Sequence, residues 1–227
     1  TETPEGMFFD SRRSSILATN GMVATSQPLA ATTGLRVLME GGNAVDSAIA
    51  AAAALNVVEP MSTGVGGDMF ALVWDNKEKS VRALNGSGRA PAATNIEELT
   101  KKGLSAMPDT GVYSVATPGT VHGWETLLDS CGTMPLSKLL CPAIDYAENG
   151  FPVSDIISFQ WQQCLGKLSA FPSGTEMLPN GGTLSQGDFV KLPTLAATLR
   201  AIAEGGSEAF YNGPIAEKTA AFVQEHG

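Results

Sequence analysis

The residues with most chemical promise lie in two glycine-rich stretches. Residues 64–68 read Gly-Val-Gly-Gly-Asp, and glycine permits both positive φ and close approach of backbone N–H groups to a ligand. The run lacks the Gly-x-Gly-x-x-Gly spacing and the terminal Gly-Lys-Ser/Thr of phosphate-binding loops. A loop near a site, built on Gly66, Gly67 and Asp68, therefore competes with plain packing against the next strand. Asp68 enters an apolar run, where a carboxylate must be paired or hydrogen-bonded. Arg89, at the end of Asn85-Gly86-Ser87-Gly88-Arg89, is one candidate partner; backbone donors of the loop are the other. His122 has neither acid nor nucleophile at a recognisable spacing and reads as structural. No Ser sits in a Gly-x-Ser-x-Gly elbow. Cys131, Cys141 and Cys164 are irregularly spaced and read as small hydrophobes in helices. With only His122 and His226 beside them, neither a disulfide framework nor a metal site is expected. No cofactor is expected, and no complete catalytic set is visible in these residues.

The chain of 227 residues is 43% hydrophobic, enough to bury a sizeable core. Its formal charge of −9 excludes the clustered Lys and Arg with which proteins neutralise nucleic-acid phosphates. No stretch reaches the roughly 18 apolar residues of a bilayer span; the nearest, 44–58, contains Asp46, Ser47 and Asn56. The beginning, Thr1-Glu2-Thr3-Pro4, has no basic start followed by an apolar core, so no signal peptide is expected in it. The absence of an initial Met suggests that something upstream was removed.

Elements that must position the glycine stretches follow from periodicity and punctuation. Met22, Val23 and Ala24 lead to Pro28, which suits the first turn of a helix over 29–40. Gly41 and Gly42 stop it. Asn43 is an N-cap for a second helix over 44–58, whose run of alanines gives a thin profile suited to close packing. Residues 69–74 read as a continuous apolar strand buried on both faces. A turn at Asp75, Asn76 and Lys77 returns the chain through 80–83 as an antiparallel hairpin. The pattern then becomes helical over 120–130, 136–148, 155–168, 194–204 and 215–225, each bounded by Gly or Pro.

Five segments together resemble the large-subunit region of γ-glutamyltranspeptidases. They are 20–30 (NGMVATSQPLA), 38–54 (LMEGGNAVDSAIAAAAA), 64–70 (GVGGDMF), 118–123 (PGTVHG) and 132–153 (GTMPLSKLLCPAIDYAENGFPV), in family order. The resemblance implies an α+β, four-layer αββα N-terminal-nucleophile hydrolase, of which residues 1–227 are a partial large subunit completed by a partner chain. It implies a small subunit from the same precursor whose N-terminal Thr attacks an amide carbonyl, with its own α-amine as base. An amine of pKa near 8 is matched to that task at neutral pH. Thr1 does not stand in the Thr-Thr-His-like segment of the family and reads as a frayed terminus. The ending at Gly227 falls where family members continue, so the chain reads as incomplete.

The resemblance also places substrate recognition. An Arg shortly before the Ala-Pro of this region holds the substrate α-carboxylate in the family, a role suited to a bidentate guanidinium. The matching position here, counted from Ala90-Pro91, is Ser87. Arg89 lies two residues on, where an extended segment faces the same side. The expected acyl donor is a γ-glutamyl amide such as glutathione, hydrolysed or transferred. The Ser87 departure leaves a glutaryl or cephalosporin acylase-like amidase as the alternative, and a non-catalytic scaffold as the third.

Overall fold

The structure, a computed structural model, describes residues 15–170, 172–182 and 184–226; Thr1 lies outside them. In chain order the helices are α1 Pro28–Met39, α2 Ala44–Val58, α3 Ile96–Lys101, α4 Thr120–Cys131, α5 Leu136–Asn149, α6 Asp155–Ser169, α7 Pro193–Tyr211 and α8 Pro214–His226. The strands are β1 Met69–Asp75, β2 Ser80–Gly86, β3 Phe151–Pro152 and β4 Phe189–Val190. The chain is α+β, the class that the family resemblance implies: α1 and α2 precede the β1–β2 hairpin, and the remaining helices, with β3 and β4 among them, follow it.

Local chemistry explains the early helices. Gln27 caps α1 by accepting the Leu29 N–H, Pro28 takes the first turn, and Gly41 at φ 92 ends it. Asn43 accepts the N–H groups of Val45 and Asp46, while Asp46 accepts the Asn43 N–H, a reciprocal capping box. Asp46 does more than cap. Fully buried, it also accepts the N–H of Thr133 at 2.9 Å, the Thr133 hydroxyl at 2.5 Å and the N–H of Met134 at 3.2 Å, tying the start of α2 to the loop between α4 and α5. Its carboxyl is shifted below the ordinary range: burial pushes it up, and the Thr133, Asn43 and Met134 donors outweigh that.

The core sits where α2, α5 and α7 meet. α5 packs between α2 and α7, and Ala50, Ala53 and Val57 of α2, Leu139, Leu140, Ala143 and Ala147 of α5, and Leu199 and Ile202 of α7 form one cluster without solvent exposure. The alanine face of α2 lets these helices approach closely, and α1 packs on it too: the Ser47 hydroxyl donates to the Gly34 carbonyl at 2.8 Å.

β1 and β2 form an antiparallel hairpin in register from Met69 opposite Gly86 to Asp75 opposite Ser80. Its turn is held by the Asp75 carboxylate, which accepts the N–H groups of Lys77 and Glu78. Here the structure corrects the sequence expectation. β1 is not buried on both faces: Phe70, Leu72 and Trp74 are 66%, 79% and 57% exposed. Successive side chains alternate faces, and only the face carrying Met69, Ala71 and Val73 has α4 behind it.

Two further differences have local causes. The helix expected to stop at residue 204 continues to Tyr211, with a break at Gly206 (φ 62, ψ −152). The Glu125 carboxylate accepts the Ser207 N–H at 2.7 Å and restarts the helix. The short β3–β4 ladder, Phe151 with Val190 and Pro152 with Phe189, joins segments far apart in sequence that show no strand periodicity.

Candidate functional site

Three segments converge beside the hairpin: residues 64–68, 86–89 and 117–120. The Gly67 carbonyl accepts the N–H groups of Gly119 and Thr120 at 2.9 and 3.1 Å. The Thr120 hydroxyl lies 3.1 Å from the Asp68 carbonyl and 3.3 Å from that of Gly64. The Arg89 carbonyl accepts the Thr117 N–H at 2.9 Å. This approach needs glycine: a Cβ on Gly119 would overlap the Gly86 carbonyl, and one on Gly88 would overlap that of Thr117. Gly88 also has φ 72, in the left-handed region that side chains disfavour.

Between the second and third segments opens a hollow of about 720 Å³, bordered by Ser87, Arg89, Thr117, Gly119, His122 and Tyr211. Ser87 and Arg89 share it although Gly88 interrupts the extended geometry between them. Ser87 is half-buried, and its N–H donates to the Asn85 side chain at 3.0 Å. The Arg89 side chain is exposed. Tyr211, half-buried, closes one wall: its hydroxyl donates to the Pro118 carbonyl at 2.9 Å and accepts the His122 N–H at 3.2 Å. Burial raises its pKa above the ordinary phenol value, the His122 N–H opposes this, and the Glu125 carboxylate adds to the rise. The hydroxyl therefore keeps its proton at neutral pH.

The glycine loop divides by residue. Gly67 presents its carbonyl to α4 and so packs, whereas Gly66 is exposed, with open space where a Cβ would be. Asp68 is exposed and makes no ion pair with Arg89 among the described residues. The pairing considered from sequence is thus corrected. The expectation that Asp68 enters a buried strand fails because it precedes β1 on the open side of the loop; its backbone carbonyl, not its carboxylate, holds the junction. His122 lines the hollow, but its own bond there is made by its backbone. Sequence reasoning missed Tyr211 and Thr120. Thr120 stands inside the Pro-Gly-Thr-Val-His-Gly segment, whereas Tyr211 is 93 residues from Pro118 and gave no local signal.

Chemically, the hollow offers a guanidinium fork at Arg89 and a neutral hydroxyl at Ser87, while the proton of the Tyr211 hydroxyl is already given to the Pro118 carbonyl. That set suits a small molecule bearing a carboxylate. Among the described residues no group of His, Cys, Asp and Glu is arranged to hold a metal ion, and no helix is long and apolar enough to cross a membrane. A second, apolar cavity of about 330 Å³ beside Trp161 and Met177 has none of the residues that meet at the glycine junction.

Comparison with known proteins gives this geometry its context. The family model for gamma-glutamyltranspeptidase matches residues 30–227. The glutathione hydrolase proenzyme of Bacillus subtilis (strain 168) is 38% identical over 212 residues, covering 92% of this chain and 36% of the relative. Among solved structures, the cephalosporin acylase of Bacillus halodurans superposes with a TM-score of 0.90 at 41% identity, covering 98% of this chain and 43% of that one. The gamma-glutamyltranspeptidase of Helicobacter pylori does so with a TM-score of 0.87 at 32% identity, over 94% and 62%. The chain spans a little over a third of the length of the Bacillus subtilis relative. With matching segments, matching fold and a family model running through nearly all of its length, this chain belongs to the γ-glutamyltranspeptidase family.

Proposed function

We propose that this chain is the substrate-positioning part of an N-terminal-nucleophile amidohydrolase that cleaves γ-glutamyl amides such as glutathione, with transfer to an acceptor amine as a further outcome. It acts as a partial large subunit. A small subunit from the same precursor brings the N-terminal Thr, whose hydroxyl adds to the amide carbonyl as its α-amine takes the proton. The amine product leaves and water then hydrolyses the acyl-enzyme. The relatives named as proenzymes support the two-subunit arrangement.

The observation that carries this reading is that Ser87 and Arg89 open onto one hollow, where the segment that bears them meets two of the family-like segments. In it Arg89 holds the α-carboxylate of the γ-glutamyl group from a position shifted by two residues, and Ser87 adds a neutral hydrogen bond. Gly66, Gly67 and Asp68 form the loop alongside. Ser87 in place of the usual Arg marks a subtype. Ser87 and the likeness to a cephalosporin acylase also favour one second reading, an acyl donor of glutaryl type.

The test is kcat/KM for γ-glutamyl and butyryl anilides in the assembled enzyme, wild type and Arg89→Ala; the butyryl group lacks the carboxylate that γ-glutamyl and glutaryl groups share. A loss of about 10- to 100-fold, mostly in KM and confined to the γ-glutamyl donor, is expected. Equal losses on both donors would reject carboxylate recognition by Arg89. Intact-mass analysis before and after denaturation should reveal a second polypeptide beginning with Thr.

A further inference from the structure

The wall of the hollow that faces Ser87 and Arg89 is held from an unexpected distance. Residues 117–119 belong to no helix or strand, so their position depends on hydrogen bonds from outside. Thr117 is tied to the Arg89 carbonyl. Its neighbour Pro118 offers a carbonyl that only Tyr211, at the far end of α7, engages among the described bonds. The same hydroxyl receives the His122 N–H, so one phenol bridges the loop and the first turn of α4. Its ring is braced edge-on by Phe210, with centroids 4.9 Å apart.

Tyr211 stands there because α7 breaks at Gly206 and restarts. The positive φ of Gly206 turns the chain, and a Cβ at that position would overlap the Glu125 carboxylate. Glu125 in turn accepts the first free N–H of the restarted helix, that of Ser207, a favourable place for an anion. Tyr211 lies four residues beyond. Continuous contacts therefore run from Glu125 through the restarted helix to Tyr211, then Pro118 and Thr117, and so to the backbone of Arg89.

We infer that Tyr211, seated by Glu125, is a positioning residue for carboxylate recognition: its hydroxyl fixes the 117–119 wall against the segment bearing Ser87 and Arg89. This rests on Arg89 as the carboxylate ligand. The Pro118 carbonyl and His122 N–H need not touch substrate; they set where Arg89 can reach.

The test is a double-mutant cycle in the assembled enzyme with γ-glutamyl anilide as substrate. Tyr211→Phe keeps the ring and its contact with Phe210 but removes both hydrogen bonds. It should raise KM about five- to tenfold, the effect of one or two neutral hydrogen bonds, with kcat within about twofold. In an Arg89→Ala background the same substitution should change KM by less than about twofold, because the group being positioned is gone. Glu125→Ala should shift KM in the same direction as Tyr211→Phe, and Glu125→Gln, whose amide oxygen still accepts the Ser207 N–H, should restore it. If Arg89→Ala raises KM while Tyr211→Phe does not, the inference is overturned and the carboxylate reading stands. If Arg89→Ala has no effect, that reading falls, and a Tyr211 effect persisting without it would show that Tyr211 does not act through Arg89. A lower melting temperature with unchanged KM in Tyr211→Phe would reduce Tyr211 to a structural role and overturn the inference.

Discussion

The helical region and the hairpin are built from equally apolar sequence and end in opposite states. Where α2, α5 and α7 meet, Ala53, Ala54, Val57, Leu139, Leu140, Ala147, Leu199 and Ile202 lose all contact with solvent. On β1 and β2, Phe70, Leu72, Trp74 and Val81 remain more than half exposed. The helices find their partners within these residues; one face of the hairpin does not. An unbroken apolar run in a strand anticipates cover on both sides, and α4 supplies it on one. The chain spans little more than a third of the Bacillus subtilis relative, which fits a covering layer supplied by the remainder of such a protein. The difference separates what this chain covers with its own residues from what it leaves open.

The sharpest way to break that contrast is to express the 227 residues alone. The open hairpin should drive association, since large contiguous apolar surface and an unpaired strand edge both favour it. Sedimentation should show oligomers or aggregate and assays no amide hydrolysis. Leu72→Lys with Trp74→Glu should shift the chain towards monomer while leaving its helical circular dichroism unchanged. A monodisperse, active wild-type chain would remove the contrast altogether.

The next largest effect belongs to the helical side. Asp46→Ala would leave four donors near the start of α2 without their acceptor, from Asn43, Thr133 and Met134. These donors sit on half-buried Asn43 and Met134 and exposed Thr133, so each costs less than the roughly 1–3 kcal/mol of a buried orphan, and a total loss of about 2–3 kcal/mol is expected in denaturant unfolding. The far-reaching bonds to Thr133 and Met134 should make this larger than the usual loss of a cap, about 1 kcal/mol.

The junction between the two regions comes third. Gly88→Ala places a methyl group on the Thr117 carbonyl and strains a backbone at φ 72. A destabilisation of about 1–3 kcal/mol is expected, together with a rise in KM for γ-glutamyl anilide. Gly66→Ala, with open space around it, is the control and should do neither.

The same contrast explains what could be read in advance. Helix limits were legible because they are set locally: Asn43 before α2, Ser154 accepting the Ile157 N–H before α6, and Gly41 and Gly150 at positive φ after α1 and α5. Asn95 before Ile-Glu-Glu carries the same signature for α3, a helix too short to show apolar periodicity. The antiparallel hairpin followed from its turn at Asp75, Asn76 and Lys77. The glycine loop lies in a family-like segment, and Ser87 and Arg89 are picked out by their count from Ala90-Pro91; the fold opens these two onto one hollow. Tyr211 was not legible, because its role depends on Glu125 restarting a helix across Gly206, and two adjacent glycines otherwise read as a stop. Nor was the open face of β1, since exposure depends on what lies opposite rather than on the strand.

The smallest effect is expected at the hairpin turn, and it tests whether the two regions differ in their response to acid. The Asp75 carboxyl is held below its ordinary range chiefly by the Glu78 N–H, with burial opposing and the Lys77 N–H and Arg82 assisting. Asp46 is lowered as well, but through donors that tie the start of α2 to the loop between α4 and α5. For both, a folded pKa below the unfolded one means that the stabilisation is present above the unfolded value, near 4, and is lost as pH falls through the folded value. At Asp75 the group is on the surface and its salt bridge to Arg82 at 2.9 Å is of the exposed kind that contributes little. Asp75→Asn retains an oxygen able to accept the Lys77 and Glu78 N–H groups. It should therefore leave the melting temperature at pH 7 within experimental scatter and only slightly flatten the fall in stability below about pH 4. Asp46→Asn, whose amide can accept from fewer of the same donors and adds donors of its own, should lower stability at pH 7 and remove much more of the acid limb. If Asp75→Asn instead proved as damaging as Asp46→Asn, the hairpin would be as tightly determined by its own residues as the helical core, and its open face would need another explanation.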